Sequence, residues 1–253
     1  MEQKSSHFKG FSVVEHLKKA RAKGKNASRD FHAVEVPGHI SAGADSAKEV
    51  AVSSLLIQII ANSLNIPSKE IFILLSVYLV GILFWKVGRS AHLGWSRLER
   101  INELVQEEKD EIEHNREEER EELTQIYKAK GFTEPLLSKI MDVLMADDKK
   151  LLAVMLEEEL NLTMDAYVHP LKQAFGAGVG VLIAAIFGAM GLYISYPYGL
   201  YFTTFIITAA GSFLIAKMER ISKLENTIKG LSIAFLAIFS TYFFTKFLIE
   251  EVL

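Results

Sequence analysis

The sequence predicts an all-α membrane protein with five transmembrane helices and a three-helix cytoplasmic insertion between spans two and three. Three observations carry that prediction. Half of the 253 residues are hydrophobic, and the mean hydropathy is +0.20, apolar for a water-soluble chain. The 44 residues from Gln173 through Ala216 contain no Asp, Glu, Lys or Arg, a run that a globular domain could not easily place without exposing it or burying a long hairpin. Residues 89–170, by contrast, hold 20 acidic and 11 basic side chains, a local charge of -9 in a chain whose net formal charge is only -3.

Taken in order, residues 1–40 read as a basic N-terminal tail, with Lys18, Lys19, Arg21, Lys23, Lys25 and Arg29, suited to anionic headgroups or simply to water. Residues 41–88 read as a hairpin of two spans. The first apolar run, Val50 to Leu64, is short and extends backwards through Asp45 and Lys48. Asn65-Ile66-Pro67-Ser68 is a turn, with the next helix starting near Pro67. The second run, Ile71 to Trp85, ends in Lys86 and Arg89.

Residues 89–170 form the acidic helical domain. Leu98, Ile101, Leu104, Ile112, Leu123 and Ile126 recur at roughly helical spacing and give a narrow apolar seam. Gly131 is the expected C-cap and Thr133 the N-cap of a second helix through Leu144 or Met145. Asp147 or Asp148 caps a third helix to about Leu160. Residues 171–253 supply spans three to five, at Ala174–Tyr193, Leu200–Ala216 and Leu231–Thr245, with the first pair joined at Tyr196-Pro197-Tyr198-Gly199. Gly176, Gly178, Gly180, Gly188 and Gly191 suit close helix–helix approach. A charged loop is expected over Lys217–Lys229.

Lys and Arg cluster in the tail, near Arg89–Arg100 and in Lys217–Lys229, whereas Tyr196–Gly199 has none. The positive-inside rule then puts the N-terminus and acidic domain in the cytoplasm. The absence of cysteine removes disulfides, thiolate metal sites and cysteine nucleophiles. The one large soluble segment is acidic, which argues against nucleic acid as a partner. No constellation asks for covalent chemistry, and an enzyme is not expected.

The informative chemistry lies between Glu107 and Glu122, where ten of sixteen residues are acidic. Carboxylates this dense repel one another unless cations or protons neutralise them. Glu108 and Glu119, like Glu111 and Glu122, are eleven apart, three helical turns plus about 20°. They therefore share a line on a continuous helix but stand roughly 16 Å apart along it. A shared ion needs either a bend near His114-Asn115 or two copies of the domain facing each other. Glutamate oxygens suit Fe2+, Mn2+, Mg2+ or Ca2+. Met155 and Glu159, at i,i+4, would add a thioether that favours a softer ion such as Fe2+, although a methionine at that spacing is more often core. Glu157 and Glu158 read as solvated charge. His92, His114 and His169 form no ligand motif.

The pieces Glu119-Arg120-Glu121-Glu122-Leu123, Ile126-Tyr127, Gly131, and Met155 with Glu159-Leu160-Asn161-Leu162 resemble the cytoplasmic domain of the vacuolar iron transporter family, including its bacterial members. The resemblance implies two spans, a helical insertion and three further spans. It also implies a homodimer in a lipid bilayer, here a bacterial inner membrane rather than an organelle's, that moves ferrous or related divalent ions against protons. Metal-collecting roles then fall on Glu108, Glu111, Glu119, Glu122 and Glu159, with Met155 beside them. No permanently bound cofactor is implied; Fe2+ or Mn2+ is the cargo. Asp45 matches a first-span aspartate of the transport path, within GADSAKE instead of the family's asparagine-aspartate-glycine. Tyr78 and Lys86 stand where transporting members carry an acidic residue and a methionine. Lys86, near the cytoplasmic end, is expected to snorkel to the interface. The competing expectation is a non-conducting membrane scaffold or metal-responsive regulator that retains the acidic domain.

Overall fold

The computed structural model describes residues 15, 19, 38–160, 162 and 169–252; most of the basic tail and Asn161 lie outside them. Among the described residues eight helices follow one another from Gly38 to Val252: α1 Gly38–Ser63, α2 Ser68–His114, α3 Arg116–Ala129, α4 Leu136–Met145, α5 Asp148–Glu158, α6 Pro170–Ile194, α7 Gly199–Met218 and α8 Lys223–Val252. They divide into two compact units, one built on residues 96–167 and the other on residues 32–95 and 168–253.

The second unit is an integral-membrane helix bundle. Four of its helices (α2, α6, α7 and α8) are long and apolar enough to cross a membrane. Phe84, Phe175, Phe202, Phe205 and Phe235 stand exposed on them, which water would penalise and lipid would not. α1 has the length, 26 residues, but its first half carries Asp45, Lys48 and Glu49, and it is not among those four. It is a packed helix. Ala44, Ala47, Ala51, Ser54, Leu55 and Gln58 are buried along it, and it lies against α6, α7 and α8.

Glycine makes that packing feasible. A Cβ on Gly180 would collide with the backbone oxygen of Gly43, and one on Gly176 with that of His39. Gly180→Ala should therefore force α1 from α6 and destabilise the bundle by about 1–3 kcal/mol. Gly81, whose added Cβ would meet nothing within 4 Å, should accept Ala without penalty, and thermal unfolding in detergent separates the two. Polar side chains tie the helix ends. Gln58 Nε2 donates to Pro197 O at 2.9 Å, and Tyr196 Oη donates to Asn62 Oδ1 at 2.9 Å.

Several boundaries differ from the sequence reading. α2 runs unbroken from the apolar run into the acidic segment, 47 residues in all. Pro67 caps it, its carbonyl accepting from Glu70 N and Ile71 N. The expected loop Lys217–Lys229 shrinks to Glu219–Ser222, because α8 begins at Lys223 and the Lys229–Glu225 pair at i,i+4 stabilises its first turns.

In the first unit, α3 ends as expected at Gly131. That residue has φ +94°. Its N–H bonds Lys128 O and the Phe132 N–H bonds Tyr127 O, with the Tyr127 and Phe132 rings 5.6 Å apart, a Schellman end with its hydrophobic contact. Thr133 does not cap α4. The helix starts after Pro135, which offers no side-chain cap, and Thr133 contributes only its carbonyl, to Leu137 N. Asp147 caps α5 by accepting from Lys149 N and Lys150 N. Ile112, Leu123, Ile126, Leu137, Met141, Leu151 and Met155 form the core.

Candidate metal centre

The core-facing stripe of each main helix in the acidic unit is interrupted by glutamate. On α2, Ile101 and Ile112 are buried, and Glu108, one turn before Ile112, is 2% exposed. On α3, Glu119, Glu122, Leu123 and Ile126 form the buried face. On α5, Leu151, Met155 and Leu156 are buried, and Glu159, the residue that caps the helix, is 2% exposed. Four glutamates thus occupy positions at which helical periodicity calls for leucine. Burying a carboxylate is costly unless it is neutralised.

The helix break that brings them together is at Asn115. Its N–H closes α2 on Glu111 O at 2.7 Å, and its carbonyl accepts from Glu118 N and Glu119 N at 2.8 and 3.2 Å. Its backbone, φ -127° and ψ 33°, leaves the helical region, as asparagine does readily. The basic residues of α3 pair elsewhere. Arg116 reaches Asp148 at 2.7 Å and Arg120 reaches Asp142 at 2.7 Å. An adjacent face of the helix then turns inward with Glu119 and Glu122.

The result is a buried cluster in which Glu108, Glu119 and Glu159 each offer a carboxylate oxygen within 4.8 Å of the others. Oxygens that share one hard cation at about 2.0–2.6 Å must lie at or within roughly that separation. Burial first, then the charges of Glu159, Glu119, Glu111 and Glu122, push the Glu108 carboxyl up to about 10. Glu108 Oε1 is buried with no hydrogen-bond partner among the described residues. A divalent cation would replace the repulsion with attraction, and the donor set, all oxygen, suits Mn2+, Fe2+, Mg2+ or Ca2+.

Of the six expected ligands, the structure gathers Glu108, Glu119 and Glu159 directly. It places Glu122 and half-buried Glu111 close enough to act on the Glu108 charge. Met155, fully buried, has Ile112, Leu123 and Leu151 as neighbours in the hydrocarbon core. Glu157 is exposed, and Glu158 is not wholly solvated, since it pairs with Lys130. His92, His114 and His169 are exposed, and His169 spends its Nδ1 on the N–H of Leu171.

In the membrane unit, Asp45 and Tyr78 line one cavity of about 520 Å³. Lys86 does not snorkel: it is 6% exposed and its ammonium pairs with Glu49, a carboxylate within reach on α1 that the sequence reading passed over. Lys48–Glu49 inside an otherwise apolar helix was the available signal for it.

No curated protein matches the chain. The model of the VIT family matches residues 95–246, more than half of the sequence, which covers the acidic helices and the membrane helices that follow and leaves out Asp45, Tyr78 and Lys86. These residues carry the fold of a family associated with metal transport. The chain belongs to the VIT family.

Proposed function

We propose that this protein moves a divalent metal ion, Fe2+ or Mn2+, across a bilayer in exchange for protons, and that its acidic unit collects the ion. The observation that carries the reading is the convergence of Glu108, Glu119 and Glu159 inside the soluble core. An apolar triad would fold that unit better, so the carboxylates are there for a cation. Glu111 and Glu122 extend the negative field around them, and Met155 borders it. In this reading α1 is the fifth span, shielded from lipid by α6, α7 and α8. The tail, the acidic unit and the α7–α8 turn face the cytoplasm, in keeping with the basic residues near each. Two copies pair in a bacterial inner membrane, and Asp45, Tyr78 and Lys86 stand along the path.

Proteoliposomes holding the full chain are expected to accumulate Fe2+ or Mn2+ saturably, and Zn2+ less well. Changing Glu119 and Glu122 to Ala should cut initial uptake by roughly tenfold or more. Absence of both uptake and metal binding would reject the proposal. One observation favours a second reading, a non-conducting metal-responsive regulator: Lys86 places a fixed positive charge on Glu49 inside the bundle. Metal binding without flux would select it.

A further inference from the structure

We infer that Glu49 is the membrane-embedded cation ligand of this chain and that the Lys86 ammonium is its built-in competitor. The inference rests on the transport reading for the placement of α1 in the bilayer and for its consequence, while the site itself is tested by binding alone.

The cavity beside α1 is lined by polar groups already arranged in pairs. Asp45 holds Lys48 at 2.9 Å, Glu49 holds Lys86, and the Ser53 hydroxyl shares a hydrogen bond with Tyr78 Oη. Glu49, Asp45, Ser53 and Tyr78 all face the same space. A second observation there points to a ligand. Thr208 also lines the cavity, is 3% exposed, and has an Oγ1 with no hydrogen-bond partner among the described residues. Buried hydroxyls are rarely left unmatched. Two carboxylates and three hydroxyls are hard oxygen donors of the kind that hold Mn2+ or Mg2+.

The Glu49–Lys86 pair is lopsided. The Lys86 side chain is 7% exposed, that of Glu49 62%. Lys86 is sealed in place and cannot leave without stranding an unpaired ammonium. Glu49 opens on the cavity, where an arriving cation must share the carboxylate with that ammonium. With each acidic group matched by a lysine, the cavity has no net negative charge to draw a cation in. A unit positive charge about 4 Å from a cation costs far more than a tenfold loss of affinity, even with protein-like screening. Lys86 thus sets how strongly the membrane site binds.

The test uses the full chain in detergent, with Glu108, Glu119 and Glu159 changed to Gln to silence the soluble cluster, and Mn2+ as probe. In that background Lys86→Met should tighten Mn2+ binding at least tenfold, and adding Glu49→Gln should abolish the gain. Glu49→Asp, which shortens the reach to Lys86 while keeping the carboxylate, should raise affinity in the same direction and serves if Lys86→Met does not fold. No gain in either variant, a gain that survives Glu49→Gln, or loss of folding in both overturns the inference. Flux in liposomes separates it from the transport reading. Tighter binding without flux in any variant keeps the inference and removes transport; wild-type flux with no binding gain in Lys86→Met does the opposite.

Discussion

Glu119→Gln is expected to weaken Mn2+ binding at the buried glutamate cluster by at least about 100-fold, and at the same time to stabilise the metal-free chain by about 1–3 kcal/mol. The opposite signs are what make the experiment decisive. Glu119 is fully buried and its charge raises the proton affinity of Glu108, so in the absence of metal it contributes repulsion and desolvation cost. Replacing it with an isosteric amide removes both. With metal present the same change removes a ligand from a set of three. A glutamate kept for structure behaves differently, since losing its charge weakens the fold with or without metal. Calorimetric titration of the solubilised chain with Mn2+, paired with thermal unfolding in chelator, reads both effects. Parallel losses in the two would show that Glu119 is a structural residue. Glu159→Gln should follow the same pattern. Glu157→Gln, at an exposed position on the neighbouring turn, should change neither quantity appreciably.

Much of this arrangement was legible in the residues, and the remainder failed for specific physical reasons. The division between a charge-free run and an acidic segment required separate solvents, which located α6 and α7 to within a few residues, whereas α2 and α8 run well past the apolar stretches that announced them. The eleven-residue spacing of Glu108 and Glu119 demanded either a bend or a second copy. Periodicity could not choose between them, because asparagine is tolerated within helices as well as at their ends. The break at Asn115 now brings the pair together within one chain. The membership of Glu159 depended on how α5 packs against the other helices, which no local pattern encodes. A stronger signal was available and went unused. Glu108 lies one turn before Ile112, Glu119 one turn before Leu123, Glu122 one turn before Ile126, and Glu159 one turn after Met155, all on the same stripes as core residues. An acidic residue in phase with an apolar stripe marks a buried carboxylate more sharply than a dense acidic run does. Lys86 was misjudged because snorkelling considers only the bilayer; the partner that decided its fate, Glu49, sits 37 residues away on another helix.

The pH dependence of the metal-free protein follows from Glu108 and has a definite sign. The carboxyl titrates near 4.5 when unshielded and is raised to about 10 in the fold. Between those values the folded chain keeps a proton that the unfolded chain has released, so stability falls as pH rises from about 4.5 towards 10, with a slope of up to about 1.4 kcal/mol per pH unit. Most acidic proteins lose stability in the other direction, on acidification. An arriving cation must displace that proton, because a ligand oxygen has to be ionised. Apparent Mn2+ affinity should therefore climb by about tenfold per pH unit between pH 6 and 8, with close to one proton released per ion. Titrations in buffers of different ionisation enthalpy count that proton directly. Glu108→Gln should flatten the stability profile and eliminate the released proton, leaving whatever affinity the other carboxylates retain. An affinity that does not vary with pH in the wild-type chain would mean that Glu108 is already ionised and that the ion does not enter among these carboxylates. Where proton release is found, the buried cluster exchanges a proton for each metal ion that it binds.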